Sequence, residues 1–201
     1  MRVLIALFAL VFLVSCEDGR DLNEAPAALG DFKLGHSIVI APNLVKGPLS
    51  RDATKEQWIA AMDKALEDRF RRYEGEDKKL YHFGVSVEGF VLAQVGVPLV
   101  LQPKSVLIFR VTVWDDEKGI KLNEEPHEIT VLEAISANTV AGSGLTQTAE
   151  EQMQNLVIKG AKQLEVWLGV QQKRYDWFTP DARVEKAAEG KRKNKAAQPA
   201  N

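Results

Sequence analysis

The chain has 201 residues, of which 45% are hydrophobic and 27% are charged, and its formal net charge at pH 7 is −2. A chain of this length suits one globular domain with terminal extensions. The nearly balanced charge argues against a nucleic-acid-binding surface, which requires a strongly basic field, and the single cysteine excludes a disulfide within the chain.

The first residues combine a positive end with a short apolar run. Arg2 precedes an uninterrupted apolar stretch over residues 3–14, and Ser15 and Cys16 follow it. A stretch of about twelve residues is too short to cross a bilayer as a helix, which needs about 20 residues rising 1.5 Å each. The charged tip, the short apolar segment and the small residue after it are typical of an export signal.

Leu13-Val14-Ser15-Cys16 resembles the lipobox of bacterial lipoproteins. In that family the cysteine sulfur receives a diacylglyceryl group, a dedicated peptidase cuts before the cysteine, and the new amine is usually acylated. The resemblance implies that residues 1–15 are a lipoprotein signal peptide and that acyl chains on Cys16 hold the protein on a membrane of the bacterial cell envelope. Glu17, rather than aspartate, after the cysteine implies the outer membrane, with the domain facing the periplasm. Secretion without a lipid and a buried amino-terminal helix are the alternatives.

Composition divides the rest of the chain into three parts. Residues 16–35 are polar and rich in small side chains without periodicity, which predicts a flexible tether. Residues 36–178 contain periodic apolar positions and predict a single α+β domain. Residues 179–201 have almost no large apolar side chain and are basic between 186 and 195, which predicts a disordered tail. Such a tail suits contact with an anionic envelope polymer or lipid headgroups, and a merely solvated end is the alternative.

Two segments have the spacing of amphipathic helices. Each opens with a capping-box pattern, in which Thr54 or Thr148 is followed three residues later by Gln or Glu. Apolar residues then recur three and four positions apart, up to Tyr73 in the first segment and Leu168 in the second. Gly75 predicts where the first helix stops.

Other segments have the pattern of strands. Ile38-Val39-Ile40 is a short β-branched run, which predicts a buried strand before the first helix. Alternation of apolar and polar residues after that helix predicts three further strands and a weaker fourth, over residues 81–91, 105–114, 128–135 and 139–143. Phe109 lies on the apolar side of the second of these, so we expect its ring to point into the core.

The order β-α-β-β-β-(β)-α predicts an α+β fold. We expect a mainly antiparallel sheet of four to five strands with the two amphipathic helices packed on one face, because each helix has one apolar stripe to bury. The connection through the first helix also allows one parallel pair. In topology alone, this order is similar to that of several small envelope lipoprotein families, including uncharacterised ones and the auxiliary lipoproteins of lipid-transport systems.

Side chains suited to catalysis or metal binding are few. His127 lies next to Glu124, Glu125 and Glu128 in the sequence, and carboxylates can tune an imidazole for acid-base work. A solvated turn is the favoured interpretation of this cluster. Gly142-Ser143-Gly144 lacks the rest of a nucleophile motif and has no histidine after it, so it predicts a bend. We therefore expect no catalytic site, no metal and no cofactor.

An apolar segment between the two long strands is the candidate partner surface. It contains Val95, Val97, Leu99 and Leu101. If these side chains are exposed, they would bind an envelope protein or accept an added strand. If they pack on the core, the segment is only a long connection.

Taken together, these features favour a lipid-anchored, periplasm-facing envelope lipoprotein with a non-catalytic binding or scaffolding role. One alternative is an envelope hydrolase or transferase whose carboxylate and histidine site is built from distant residues. Another alternative is a carrier of a lipid or small ligand, which requires a cavity between the sheet and the helices.

Overall fold

The computed structural model describes residues 19–94, 105–133 and 147–180. Within this part of the chain there are two helices, α1 (Lys55–Phe70) and α2 (Ala149–Tyr175). The strands are β1 (Lys33–Ile40), β2 (Val45–Lys46), β3 (Leu80–Val91), β4 (Val106–Asp115), β5 (Ile120–Lys121) and β6 (His127–Leu132). The predicted α+β class is confirmed.

The strands form one mixed, open sheet with β3 and β4 at its centre. β1 and β2 pair with β3 in parallel, whereas β4 runs antiparallel to β3. β5 and β6 pair with β4, both antiparallel. The parallel pair that the sequence allowed is present, because the chain passes through α1 between β1 and β3 and so returns in the same direction.

Both helices begin where their capping boxes predict. Gln57 N donates to Thr54 Oγ1 at 3.2 Å, and Thr54 N donates to Gln57 Oε1 at 2.8 Å. Thr148 and Glu151 make the same reciprocal pair. These bonds satisfy backbone donors that a helix start leaves without partners. The second helix continues to Tyr175, beyond the apolar stripe that predicted it.

The core lies between one face of the sheet and the two helices. Alternate residues of β3 and β4 point into it, and Phe109 is fully buried as expected. Phe32 is at the centre of an aromatic cluster. Five rings have centroids 5.0–6.0 Å from that of Phe32, and they belong to Phe70, Tyr73, Tyr81, Phe83 and Phe178.

Residues 38–40 lie in a strand as predicted, but the prediction that this strand is buried is wrong. The strand is present, but Ile38 is 67% exposed and Ile40 is 49% exposed. The parallel register pairs Ile38 with Gly84, on the sheet face that the helices do not cover, and pairs Val39 with Val85 on the core face. β-branched composition favours the extended backbone, but it does not specify which face is covered.

The predicted flexible tether over 16–35 is wrong for its described part. Leu29 and Phe32 are buried in the core, and Asp31 N donates to Phe178 O at 2.8 Å. The domain therefore begins before residue 36. Two apolar residues in a polar segment make no periodic pattern, so local analysis missed their place in the core.

Several predictions fall on residues outside the described ranges. These are Cys16, the apolar segment 95–101, the weaker strand 139–143 with its Gly142-Ser143-Gly144 bend, and nearly all of the 179–201 tail.

The sheet-facing side of α2 provides a test of the packing. A Cβ added at Gly160 would lie 2.9 Å from Phe109 Cε1, whereas one added at Gly169 would meet only Leu29 Cδ2, at 3.9 Å. Overpacking a filled core costs about 1–3 kcal/mol, and Ala gains up to about 1 kcal/mol over Gly in a helix. We expect Gly160→Ala to lower the free energy of unfolding in urea and Gly169→Ala, its matched control, to raise it. Equal stabilities would contradict this packing.

Candidate functional site

The structure does not assemble the acid-base cluster around His127. The His127 ring stacks on Trp167 of α2, with centroids 4.2 Å apart and planes 5° from parallel. Glu128 points to the opposite face, where its Oε2 accepts from Arg110 Nη2 at 3.1 Å, as neighbours on a strand must alternate. Burial lowers the pKa of His127 and favours the neutral ring. Within the described residues, no group of three or more His, Asp or Glu side chains is placed to hold a metal ion.

A second arrangement of imidazoles lies between β1 and β3. His36 N donates to His82 Nδ1 at 3.0 Å, and His82 Nε2 lies 2.9 Å from Asp116 Oδ1. Because Nδ1 accepts, Nε2 carries the proton and donates to Asp116. Gly35 allows this approach, since a Cβ there would lie 2.5 Å from His82 Cε1. Both ring nitrogens are engaged within the protein, so this histidine links two strands and a turn.

A buried cluster of charged groups joins the two helices. Glu165 of α2 is only 2% exposed and Arg69 of α1 only 1% exposed. Glu165 Oε2 accepts from Arg69 Nη1 at 2.7 Å, and its Oε1 accepts from Arg72 Nη2 at 2.8 Å and from Tyr73 Oη at 2.7 Å. Burial, together with the Glu165 carboxylate, raises the pKa of Tyr73 well above its ordinary value. This phenol therefore stays a hydrogen-bond donor.

The same cluster holds the beginning of the described chain. Arg69 Nη2 donates to Asp21 Oδ1 at 2.7 Å and to Gly19 O at 2.5 Å, and Lys162 Nζ donates to Asp21 Oδ2. Arg72 Nη1 donates to Glu24 O at 3.1 Å. We call residues 19–24 the amino-terminal clamp. These bonds fix it to both helices.

The charge of Asp21 and the backbone of Gly19 both suit the clamp. Burial alone would raise the pKa of Asp21, but the bonds and charges from Arg69 and Lys162 outweigh it and hold the pKa well below its usual range. Gly19 has φ +78°, and a Cβ there would lie 2.8 Å from Ile158 O. A side chain at this position would force the clamp away from α2.

Sequence reasoning missed this cluster, although it left a signal. Arg69 falls three positions after Leu66, on the apolar stripe of α1, and Glu165 falls four positions after Ala161 of α2. Charged residues on an otherwise apolar stripe are buried only when they are paired. Two such residues of opposite sign on different helices indicate a buried ion pair.

The open face of the sheet lies on the side away from the helices. Gly84 and Ser86 form a low strip along β3, and nothing lies within 4 Å of a Cβ built on Gly84. On β1, the exposed Ile38 and Ile40 pair with Gly84 and Ser86, whereas on β4 the strip is flanked by Thr112 and Arg110. Trp114, which pairs with His82, and Leu132 of β6 are further exposed apolar residues of this face. Polar groups accompany them, since Lys121 Nζ lies 5.5 Å from the centre of the Trp114 ring. Several large apolar side chains on one face are typical of an interaction surface.

Clefts formed by described residues are open to solvent. One has a cavity volume of about 510 Å³ and is lined by Arg20, Asn155 and Ile158 near the start of α2. Two others lie beside α1. The aromatic cluster around Phe32 occupies space between the helices and the sheet, where a ligand carrier would need its cavity.

Within the described residues, neither helix is long and apolar enough to cross a membrane. No family model matches the chain, and no curated protein matches it.

Some solved structures are similar to this chain at low identity. A Caulobacter crescentus protein, provisionally named a lipoprotein, is 12% identical over 73% of this chain and 93% of its own, with a TM-score of 0.35. A DUF330 protein of Xanthomonas campestris is 11% identical over 71% of this chain and 86% of its own, with a TM-score of 0.40. A minor lipoprotein of Acinetobacter baumannii is 13% identical over 67% of this chain and 96% of its own, with a TM-score of 0.31.

The Asp21 interactions predict how stability depends on pH. A carboxylate whose pKa is lowered by folding contributes stability above its unfolded pKa, about 3.9, and this contribution is lost as the pH falls toward the folded value. We expect the free energy of unfolding of the wild type to decrease as the pH is lowered from about 4. The Asp21→Asn variant should be less stable than the wild type at pH 7, and its free energy of unfolding should decrease less steeply in acid. Urea unfolding at several pH values measures both.

A surface carboxylate provides the control for this experiment. Asp68 pairs with Lys64 at 2.8 Å on the exposed side of α1. Asp68→Asn should change the free energy of unfolding at pH 7 by no more than about 0.5 kcal/mol. An Asp21→Asn variant with the same acid dependence as the wild type would show that the clamp does not contribute in this way.

Proposed function

We propose that this protein is a lipoprotein of the bacterial cell envelope, anchored through acyl chains on Cys16, that binds another envelope protein without catalysing a reaction. The observation that carries the anchoring is Leu13-Val14-Ser15-Cys16 at the end of a short apolar segment. Glu17 favours the outer membrane and the periplasmic side. Two or three acyl chains, each adding about 0.8 kcal/mol per buried methylene, hold a protein stably on a bilayer.

The open face of the sheet supports the binding role. Its exposed apolar side chains, Ile38, Ile40 and Trp114, share this face with a charged pair between Arg110 and Glu128. Such a mixture suits a protein surface, because apolar groups supply buried area and the charged pair can favour one partner orientation. Among the described residues, the helices pack on the other side of the sheet, and Ile38, Ile40 and Trp114 are exposed.

Loss of the cysteine tests the anchoring. The thioether can form only on Cys16, so Cys16→Ala should abolish incorporation of a labelled fatty acid and leave the protein uncleaved or cleaved elsewhere. Ser15→Ala is the matched control, because it keeps a small residue before the cysteine and should keep the label. The measurement is acyl labelling followed by mass spectrometry of the amino-terminal peptide. Unchanged labelling of Cys16→Ala would refute the assignment.

Site-specific crosslinking tests the binding face. A photo-crosslinking amino acid at Ile40 should capture one defined protein in intact cells. Ile38→Lys places a charge on this face at an exposed edge strand, where lysine is tolerated, and should reduce the yield of that product. Tyr175→Lys introduces the same charge at a similarly exposed position on α2 and should leave the yield unchanged. A product that is insensitive to Ile38→Lys would exclude the open face as its binding site.

A further inference from the structure

The proposed lipid attachment site, Cys16, is close in sequence to Gly19, where the described residues begin. Three peptide units join Cys16 to Gly19, and an extended chain spans at most about 3.6 Å per residue, so their Cα atoms are no more than about 11 Å apart. The bonds from Arg69 hold Gly19 and Asp21 on the helices. If Cys16 is acylated, as proposed above, the protein surface around Gly19 therefore lies beside the lipid headgroups.

That surface belongs to the side of α2 turned away from the sheet. Gly19 packs on the backbone of Ile158, whereas Gly160 faces Phe109 in the core. Two positions along a helix correspond to a rotation of about 200°, so Ile158 and Gly160 point in nearly opposite directions. Lys162 and Val166 follow Ile158 at four-residue spacing and continue the same side.

The residues on this side suit an anionic lipid surface. Val166 is 49% exposed and Val170 is 43% exposed. Between residue 152 and the end of α2, the exposed basic residues are Lys173 and Arg174, and the one acidic residue is the buried Glu165. Lys159 Nζ donates to Leu132 O of β6, and Lys162 is paired with Asp21 of the clamp. A helix side that combines apolar and basic residues associates with anionic bilayers, and each basic group near the surface contributes about 1 kcal/mol.

We propose that the exposed outer side of α2 beyond the clamp, formed by Val166, Val170 and Lys173, rests on the phospholipid headgroups of the membrane that holds the Cys16 acyl chains. The open face of the sheet, on the far side of the helices, then points away from that membrane. The short connection fixes this orientation. A flexible linker of about 20 residues would have a mean reach of roughly 25 Å and would not fix it.

The experiment uses the full, acylated protein in vesicles of phosphatidylethanolamine and phosphatidylglycerol. Cys16 is the only cysteine of the chain, and acylation occupies its sulfur, so an introduced cysteine is the only thiol that a probe can label. A fluorophore is attached to Val170→Cys or, as the matched control, to Ile38→Cys on the open face. Lipids with a spin-labelled headgroup serve as the quencher.

We expect the probe at position 170 to be quenched several-fold more than the probe at position 38. Lys173→Glu should reduce the quenching at 170, and so should a flexible insertion between Asp18 and Gly19. Both changes leave the acyl chains in place. Equal quenching at the two positions, or stronger quenching at 38, would overturn the proposed orientation.

Mass spectrometry of the same sample separates this inference from the proposed function. An amino-terminal peptide without acyl chains on Cys16 would overturn the anchoring and the orientation together. An acylated peptide with equal quenching at both positions would overturn the orientation alone.

Discussion

The carboxylate of Glu165 is the group on which the arrangement of the other elements depends. A buried carboxylate is costly unless donors surround it, and here Arg69, Arg72 and Tyr73 all donate to it. These donors come from the last turn of α1 and the residues just after it, so the bonds join the two helices at one level along their length. Removal of any one donor would leave part of a buried charge unsatisfied. The cluster therefore specifies how α1 and α2 lie against each other.

The remaining donors of Arg69 extend this specification to the start of the domain. They bind Gly19 and Asp21, and the chain then runs along α2 until Leu29 and Phe32 enter the core. The bond from Asp31 N to Phe178 O brings the start of the fold to its end. A segment that looks like a linker in composition is thus an integral part of the domain.

This construction gives the protein two unlike sides. The helix side contains the clamp that leads toward Cys16, and the exposed residues in the second half of α2 include Val166, Val170 and Lys173. The sheet side presents Ile38 and Ile40 beside a low strip of small residues, and Trp114 on the same face. In the proposed function, the short connection between Cys16 and the clamp would limit how far the domain can turn about its attachment point. In the proposed function, attachment by one side would therefore leave the other side directed at a partner.

The sequence by itself determined the features that arise within a few residues of each other. The capping boxes at Thr54 and Thr148, the alternation along β3 and β4, and the α+β class all follow from local periodicity and local hydrogen bonds. Tertiary structure alone decided which face of β1 is covered, how residues 19–32 pack, and where the charged cluster forms. These depend on contacts between residues far apart, such as Arg69 with Glu165, 96 positions on, and Asp21 with Lys162, 141 positions on. No local pattern specifies such pairs, because it is the packing of the helices on the sheet that brings them together.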